Sequence, residues 1–195
     1  MRIRFLSNRA AAVSMMVSML SLASAAHAAN PQVEIKTSAG TITAELYADK
    51  APKTVENFLE YVKSGFYSGT VFHRVIPGFM VQGGGFTKDM KEKTVRPSIQ
   101  HEGAACGTNE MGTLAMARTG DPHSASSQFF INVVNNARLN YTLPPQGWGY
   151  CAFGKVTSGM DIAQKMVAVP TKSMGQYQNV PVDPIVIESV TVITQ

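Results

Sequence analysis

A closed β-barrel with two helices is the architecture that this 195-residue chain predicts. From Val33 onward, short apolar runs are punctuated by Gly, Asn and Pro, the pattern of a compact β-rich domain. Only two segments carry helical spacing. Many strands beside so few helices point to closure, because a closed sheet has no unpaired edge and the helices can cover its open ends.

Taken in order, residues 33–36 and 41–46 alternate about a Ser38-Ala39-Gly40 turn and predict a hairpin. Pro52 then opens a helix, with apolar residues at Val55, Phe58, Leu59 and Val62 along one face and Gly65 as its stop. Further strands are predicted over 71–75, 79–82, 112–116, 128–132, 151–156 and 185–193. The second helix follows Gly159, with Ile162, Met166 and Val167 as its inward face.

The N-terminus has its own grammar. Arg2, Arg4 and Arg9 precede an apolar stretch over 10–26 that ends in Ala26-His27-Ala28, the layout of a secretory signal peptide. A membrane anchor is the alternative, but the stretch is short against the roughly 20 residues a span needs and it contains several serines. Residues 1–28 are therefore expected to be removed after Ala28, with Ala29 as an alternative site, leaving a single domain over 29–195. The chain carries 17 basic and 13 acidic residues; without the three leader arginines the balance is 14 to 13, a net charge of +1. Nucleic-acid binding loses its main support at that value, and no stable membrane insertion is expected once the leader is gone. Cys106 and Cys151 would meet an oxidising compartment where thiols can pair. Spacing alone does not decide it, and the plainer expectation is one loop thiol and one core thiol.

The most informative run is FHRVIPGFMVQGGGF, residues 72–86. Arg74 lies two residues after Phe72, so strand alternation places both on one face, a costly position for a charge without a purpose. The neighbouring His73 is expected on the opposite face, in a structural role. Together with SSQFFI (residues 126–131) and FGKV (residues 153–156), this run resembles the cyclophilin family of peptidyl-prolyl isomerases, and the resemblance extends from about Val33 to the C-terminus. It implies an eight-stranded antiparallel barrel capped by two α-helices, with a ligand groove on the outer surface. It also implies an activity without cofactor or metal: accelerated rotation of X-Pro bonds in unfolded or partly folded polypeptides. Matched residue by residue, the motif makes Arg74 the catalytic arginine, with Phe79 and Met80 lining the pocket and Gln82 holding substrate backbone. Gln128 matches a second backbone-binding amide, Phe130 the pocket floor, and Ala117, Arg118, Leu139 and Tyr150 further contact positions. Resemblance to bacterial members suggests the periplasm, with the extracellular medium as an alternative, and a monomer.

Tyr150 stands where many eukaryotic members carry His, and a tyrosine there is familiar among bacterial members. Two departures from the family pattern matter. Arg118 stands where eukaryotic members usually have Asn, a position that mainly offers backbone groups, so the contact is expected to survive. Arg138 falls where cyclosporin-sensitive members have Trp and bacterial ones commonly Phe, so weak cyclosporin binding is expected. Trp148 is too late in the sequence to take that place and is expected to pack. The departure at Arg138 also supports a rival reading, a prolyl-peptide binding module or holdase chaperone with little turnover. Other chemistries find less support. His101 and His123 lack metal-ligand spacing. Gly83-Gly84-Gly85 lacks the lysine and helix of a phosphate loop and reads as a tight turn allowing close backbone approach.

Overall fold

The computed structural model describes residues 30–143 and 147–194. The expected leader and its cleavage site lie outside the described residues. Among the described residues no helix is long and apolar enough to cross a membrane.

The hairpin predicted at the start is present as β1 (Gln32–Thr37) and β2 (Gly40–Leu46), joined across Ser38 and Ala39. Helix α1 (Pro52–Lys63) begins at the proline, whose fixed φ and missing N–H suit a first helical turn. It ends at Ser64, with Gly65 at a left-handed φ of 67°. There the Phe66 N–H reaches back to the Tyr61 carbonyl and the Gly65 N–H to that of Val62, satisfying carbonyls the helix end would leave open. Six more barrel strands follow: β3 (Thr70–Ile76), β4 (Met80–Thr87), β5 (Thr113–Met116), β6 (Phe129–Asn132), β7 (Ala152–Ser158) and, last in the chain, β10 (Ile185–Thr194). Helix α2 (Met160–Val167) starts after Gly159 and buries Ala163, Met166 and Val167, whereas Ile162 is only partly covered.

The eight strands close in the order β1-β10-β3-β4-β6-β5-β7-β2, every pair antiparallel. The predicted eight-stranded barrel with two helices is thus the architecture observed. Alternation along the strands sorts side chains between the interior and an outer face. Val81, Leu114, Met116, Phe129, Ile131 and Phe153 point inward and join residues of both helices in one core. At its centre the ring of Phe58 from α1 packs 5.2, 5.5 and 5.1 Å from those of Tyr67, Phe129 and Phe153. The intervening residues Met80, Ala115, Phe130 and Ala152 form a second, smaller apolar cluster outside the barrel.

Three expectations need correction. The sequence reading missed a second hairpin, β8 (Thr171–Met174) and β9 (Tyr177–Pro181), which lies outside the barrel sheet and packs on β3. Its signal was present: Gly175 and Gln176 form a two-residue loop in which Gly175 takes a φ of 59°. The Gly83-Gly84-Gly85 run is not a turn but the middle of β4. Close approach is nevertheless its purpose, since a Cβ on Gly83 would stand 2.8 Å from the Val71 carbonyl oxygen. Finally, Cys106 and Cys151 are not separate thiols but a disulfide, with Cα atoms 5.0 Å apart. It ties the loop around the 3-10 turn Gly103–Ala105 to the residue just before β7. Sequence spacing could not anticipate this pairing, because the barrel brings together positions 45 residues apart.

Candidate active site

The outer apolar cluster is the floor of a depression of about 140 Å³. Its lining is Arg74, Phe79, Met80, Gln82, Ala117, Arg118, Phe130, Leu139 and Tyr150. Nine of the ten residues singled out from sequence therefore converge on one cavity. Gln128, the tenth, stands at its edge, where its Oε1 accepts a 3.1 Å hydrogen bond from Gln82 Nε2.

Position in the pocket follows from strand register. Met80 and Gln82 alternate outward on β4, and Phe130 lies opposite Gln82 on β6. Ala115 pairs with Phe130 from β5, and its small side chain keeps the floor shallow. Loops supply the rest: Phe79 before β4, Leu139 in the 3-10 turn Ala137–Leu139, and Tyr150 before β7. The Tyr150 ring meets Phe130 edge-on at 5.6 Å.

Arg74 reaches this face by an irregularity that simple alternation does not predict. Phe72 pairs with Gly83 and Arg74 with Gln82, so His73 and Arg74 together oppose one residue of β4, a β-bulge. Phe72 and Val75 on either side are fully buried in the barrel core. His73 and Arg74 both lie on the outer side and line one trough beside Gln82 and Gln128. The expectations that Arg74 shares a face with Phe72, and that His73 lies opposite Arg74, are both overturned by this bulge. The structural role expected for His73 fits its packing, 5% exposed with its ring 4.7 Å from Phe86. Burial pushes its pKa down to about 4, so it is neutral at ordinary pH.

Arg74 donates from Nη1 to Gln82 Oε1 at 3.3 Å, and among the described ion pairs none involves it. A chain of three polar side chains thus runs along one wall, Arg74 to Gln82 to Gln128, facing an apolar wall of Phe79, Met80, Phe130 and Leu139. Among the described residues the other N–H groups of the Arg74 guanidinium have no hydrogen-bond partner and can donate to a guest. Arg118 is otherwise engaged: it donates to the carbonyls of Gly149 and Thr119, each at 2.8 Å, and its guanidinium sits 4.8 Å from the centre of the Tyr150 ring. Arg138 lays its guanidinium 4.8 Å from the centre of the Phe79 ring, covering an apolar wall with charge. Trp148 packs among His101, His123 and Tyr141 and is not part of the pocket lining, as its packing role predicts. Among the described residues no cluster of His, Cys, Asp or Glu could hold a metal ion.

An apolar socket beside a row of side-chain donors and acceptors can hold a small ring and grip the amides flanking it; it offers no nucleophile. The family model described as cyclophilin type peptidyl-prolyl cis-trans isomerase matches residues 32–192. The chain belongs to that family, and it is a peptidyl-prolyl cis-trans isomerase. It is 56% identical to peptidyl-prolyl cis-trans isomerase cyp18 of Streptomyces antibioticus, over 83% of this chain and 98% of the relative. With peptidyl-prolyl cis-trans isomerase B of Escherichia coli it shares 52% identity, over 82% of this chain and 98% of the relative. The crystal structure of a Cryptosporidium parvum cyclophilin type isomerase, determined in the presence of the dipeptide Ala-Pro, superimposes with a TM-score of 0.69. It shares 27% identity and covers 84% of this chain and 99% of its own.

Proposed function

We propose that the pocket around Arg74 is the catalytic site, and that this isomerase acts on X-Pro bonds of partly folded polypeptides exported by the leader over 1–28. The carrying observation is the Arg74–Gln82–Gln128 row facing the apolar floor of Met80 and Phe130. An X-Pro amide resists twisting by close to 20 kcal/mol because of its partial double bond. Phe79, Met80, Phe130 and Leu139 hold the proline ring. Gln82 and Gln128 anchor the adjacent backbone, and Ala117 leaves it room to pass. As the amide twists, its nitrogen regains a lone pair, and the Arg74 guanidinium donates to it. That bond is stronger in the twisted state than in either planar one, so it lowers the barrier without covalent chemistry. Shortening seconds to milliseconds requires roughly 4 kcal/mol, at 1.36 kcal/mol per decade.

The test is a protease-coupled isomerisation assay on protein beginning at Ala29, beside the Arg74→Ala variant. Turnover should fall about a hundredfold or more in the variant, in the range of losing one transition-state donor, while peptide affinity largely persists. Negligible turnover in both proteins with peptide binding intact would instead support the binding module or holdase. The same preparation should sediment as a monomer. Export is read by fractionating cells that make the full-length chain: mature protein in the periplasm supports it, and unprocessed protein in the cytoplasm overturns it.

Cyclosporin should bind weakly, because Arg138 covers the Phe79 ring with a charged, hydrated group. A submicromolar dissociation constant for the isolated protein would sink that expectation.

A further inference from the structure

Met80 and Phe130 are held by the barrel ladder, but Phe79, Leu139 and Tyr150 stand on loops. Loops are the parts of a domain that drift. Behind these three runs a chain of buried amides from Asn109, Asn132 and Asn136, exposed by 1%, 0% and 5%. Asn109 Nδ2 donates to the Leu139 carbonyl at 3.0 Å and to the Tyr150 carbonyl at 2.9 Å. Its Oδ1 accepts from Asn132 Nδ2 at 3.2 Å, and Asn132 is further fixed by donating to Thr113 Oγ1 at 2.9 Å. Asn132 Oδ1 accepts from Asn136 Nδ2 at 2.7 Å, and that same amide donates to the Phe79 carbonyl at 2.9 Å. The Asn136 backbone N–H closes the ring onto the Asn109 carbonyl at 2.8 Å.

We infer that Asn109, Asn132 and Asn136 form a positioning relay that sets the shape of the proline pocket by holding the backbone carbonyls of Phe79, Leu139 and Tyr150. Each loop that contributes a wall is gripped at the residue that contributes it. The relay also has one orientation. Flipping Asn109 or Asn136 would turn an amide oxygen toward a carbonyl oxygen, a buried acceptor facing an acceptor. Three buried amides are costly unless every donor is satisfied, and here their donors are spent on the pocket loops, on one another and on Thr113. Asn132 pairs with Met80 across the β4–β6 ladder and so shares its outer face, which sets the relay directly beside the pocket floor. None of the three side chains lines the cavity, so their effect on substrate passes through the loops they hold. The inference rests on the pocket being the proline site proposed above.

The test measures the dissociation constant of a tetrapeptide containing Ala-Pro, together with kcat and KM, for wild type, Asn109→Ala, Asn136→Ala and the double variant. Asn109→Asp, which keeps the size and the acceptor but loses both donors, is the conservative probe. Val167→Ala, a buried core change on α2 outside the hydrogen-bonded relay, provides a control for lost stability. Relay variants should weaken peptide affinity about tenfold and raise KM in parallel, with kcat within about twofold because Arg74 and Gln82 are untouched. The double variant should lose less than the product of the two single losses. If Asn109 variants do not fold, Asn136→Ala and the partly exposed Asn140→Ala carry the test, since Asn140 Oδ1 accepts from the Asn109 N–H at 2.6 Å. Unchanged affinity in folded variants, multiplicative losses, or an equal loss in Val167→Ala at matched Tm overturns the relay. Wild-type protein that does not bind the peptide overturns both the relay and the site; wild type that binds and turns over while the Asn variants match it overturns the relay alone.

Discussion

The bulge in β3 turns His73 outward beside Arg74, where Phe86 rather than water covers its ring. Its Nδ1 is buried and unpartnered in the described structure, so protonation would place a desolvated charge near the Arg74 cation. The resulting pKa of about 4 lies below the unfolded value near 6.5, and burial is the leading cause. The unfolded chain therefore binds the proton first as pH falls. Stability attributable to His73 is intact above pH 6.5 and is lost as pH drops toward 4, by at most about 3 kcal/mol. His73→Phe keeps a ring against Phe86 and removes the titration. Urea unfolding between pH 7 and pH 4 should show a shallower acid loss in this variant, with a remainder from His101, whose pKa burial also lowers. Identical acid limbs in the two proteins would count against the assignment.

At the scale of elements, the three glycines of β4 serve different neighbours. A Cβ on Gly84 would stand 2.9 to 3.0 Å from the rings of Tyr67 and Phe129, at a φ of 85° that side chains resist. Both rings are locked in the core, so Gly84→Ala should cost about 2 kcal/mol or more. A Cβ on Gly85 would stand 2.5 Å from Gln128 Cγ, part of a flexible side chain. Gly85→Ala should leave the unfolding midpoint close to wild type but displace Gln128 from Gln82, raising KM severalfold. Denaturant melts paired with isomerase kinetics separate the two outcomes. A large stability loss at Gly85 with unchanged KM would mean that Gln128 does not anchor substrate. Most of this pocket was legible in sequence because its residues fall in the ordered motifs FHRVIPGFMVQGG and SSQFFI, by which the chain resembles its family; periodicity alone did not reveal the groove, although alternation along β4 and β6 carries Met80, Gln82 and Phe130 to one face. His73 and Arg74 were misplaced because a bulge adds one residue to one strand, and its signature lies in the pairing with the partner strand. Asn109, Asn132 and Asn136 were missed because an asparagine's role depends on which carbonyls surround it, and those belong to loops far away in sequence.

For the whole molecule, the Cys106–Cys151 bond closes a loop of 45 residues that contains β5 and β6. Cross-linking a loop of that size removes chain entropy from the unfolded state, worth about 4 kcal/mol in the loop-entropy description and roughly 2 to 4 in practice. Reduction, or a Cys106→Ala/Cys151→Ala double variant, should lower Tm by several degrees while the barrel persists. Equal Tm with and without reductant would show that the bond contributes little. Cys151 directly follows Tyr150, whose carbonyl Asn109 holds, so activity measured beside Tm reports whether the staple also steadies the pocket.

Several properties of this protein were set locally and could be read from residue order: the alternation that makes strands, the Pro52 and Gly65 limits of α1, and the ordered motif that carries Arg74, Gln82 and Phe130. Each depends on chemistry within a few residues or on a register that alternation preserves. The disulfide, the docking of the outer hairpin on β3 and the amide relay were decided only when the barrel closed, and the bulge only when β3 paired with β4. Each depends on which segments become neighbours, and for the disulfide, the docking and the relay, closure brings together chain positions whose separation in sequence carries no trace of the contact.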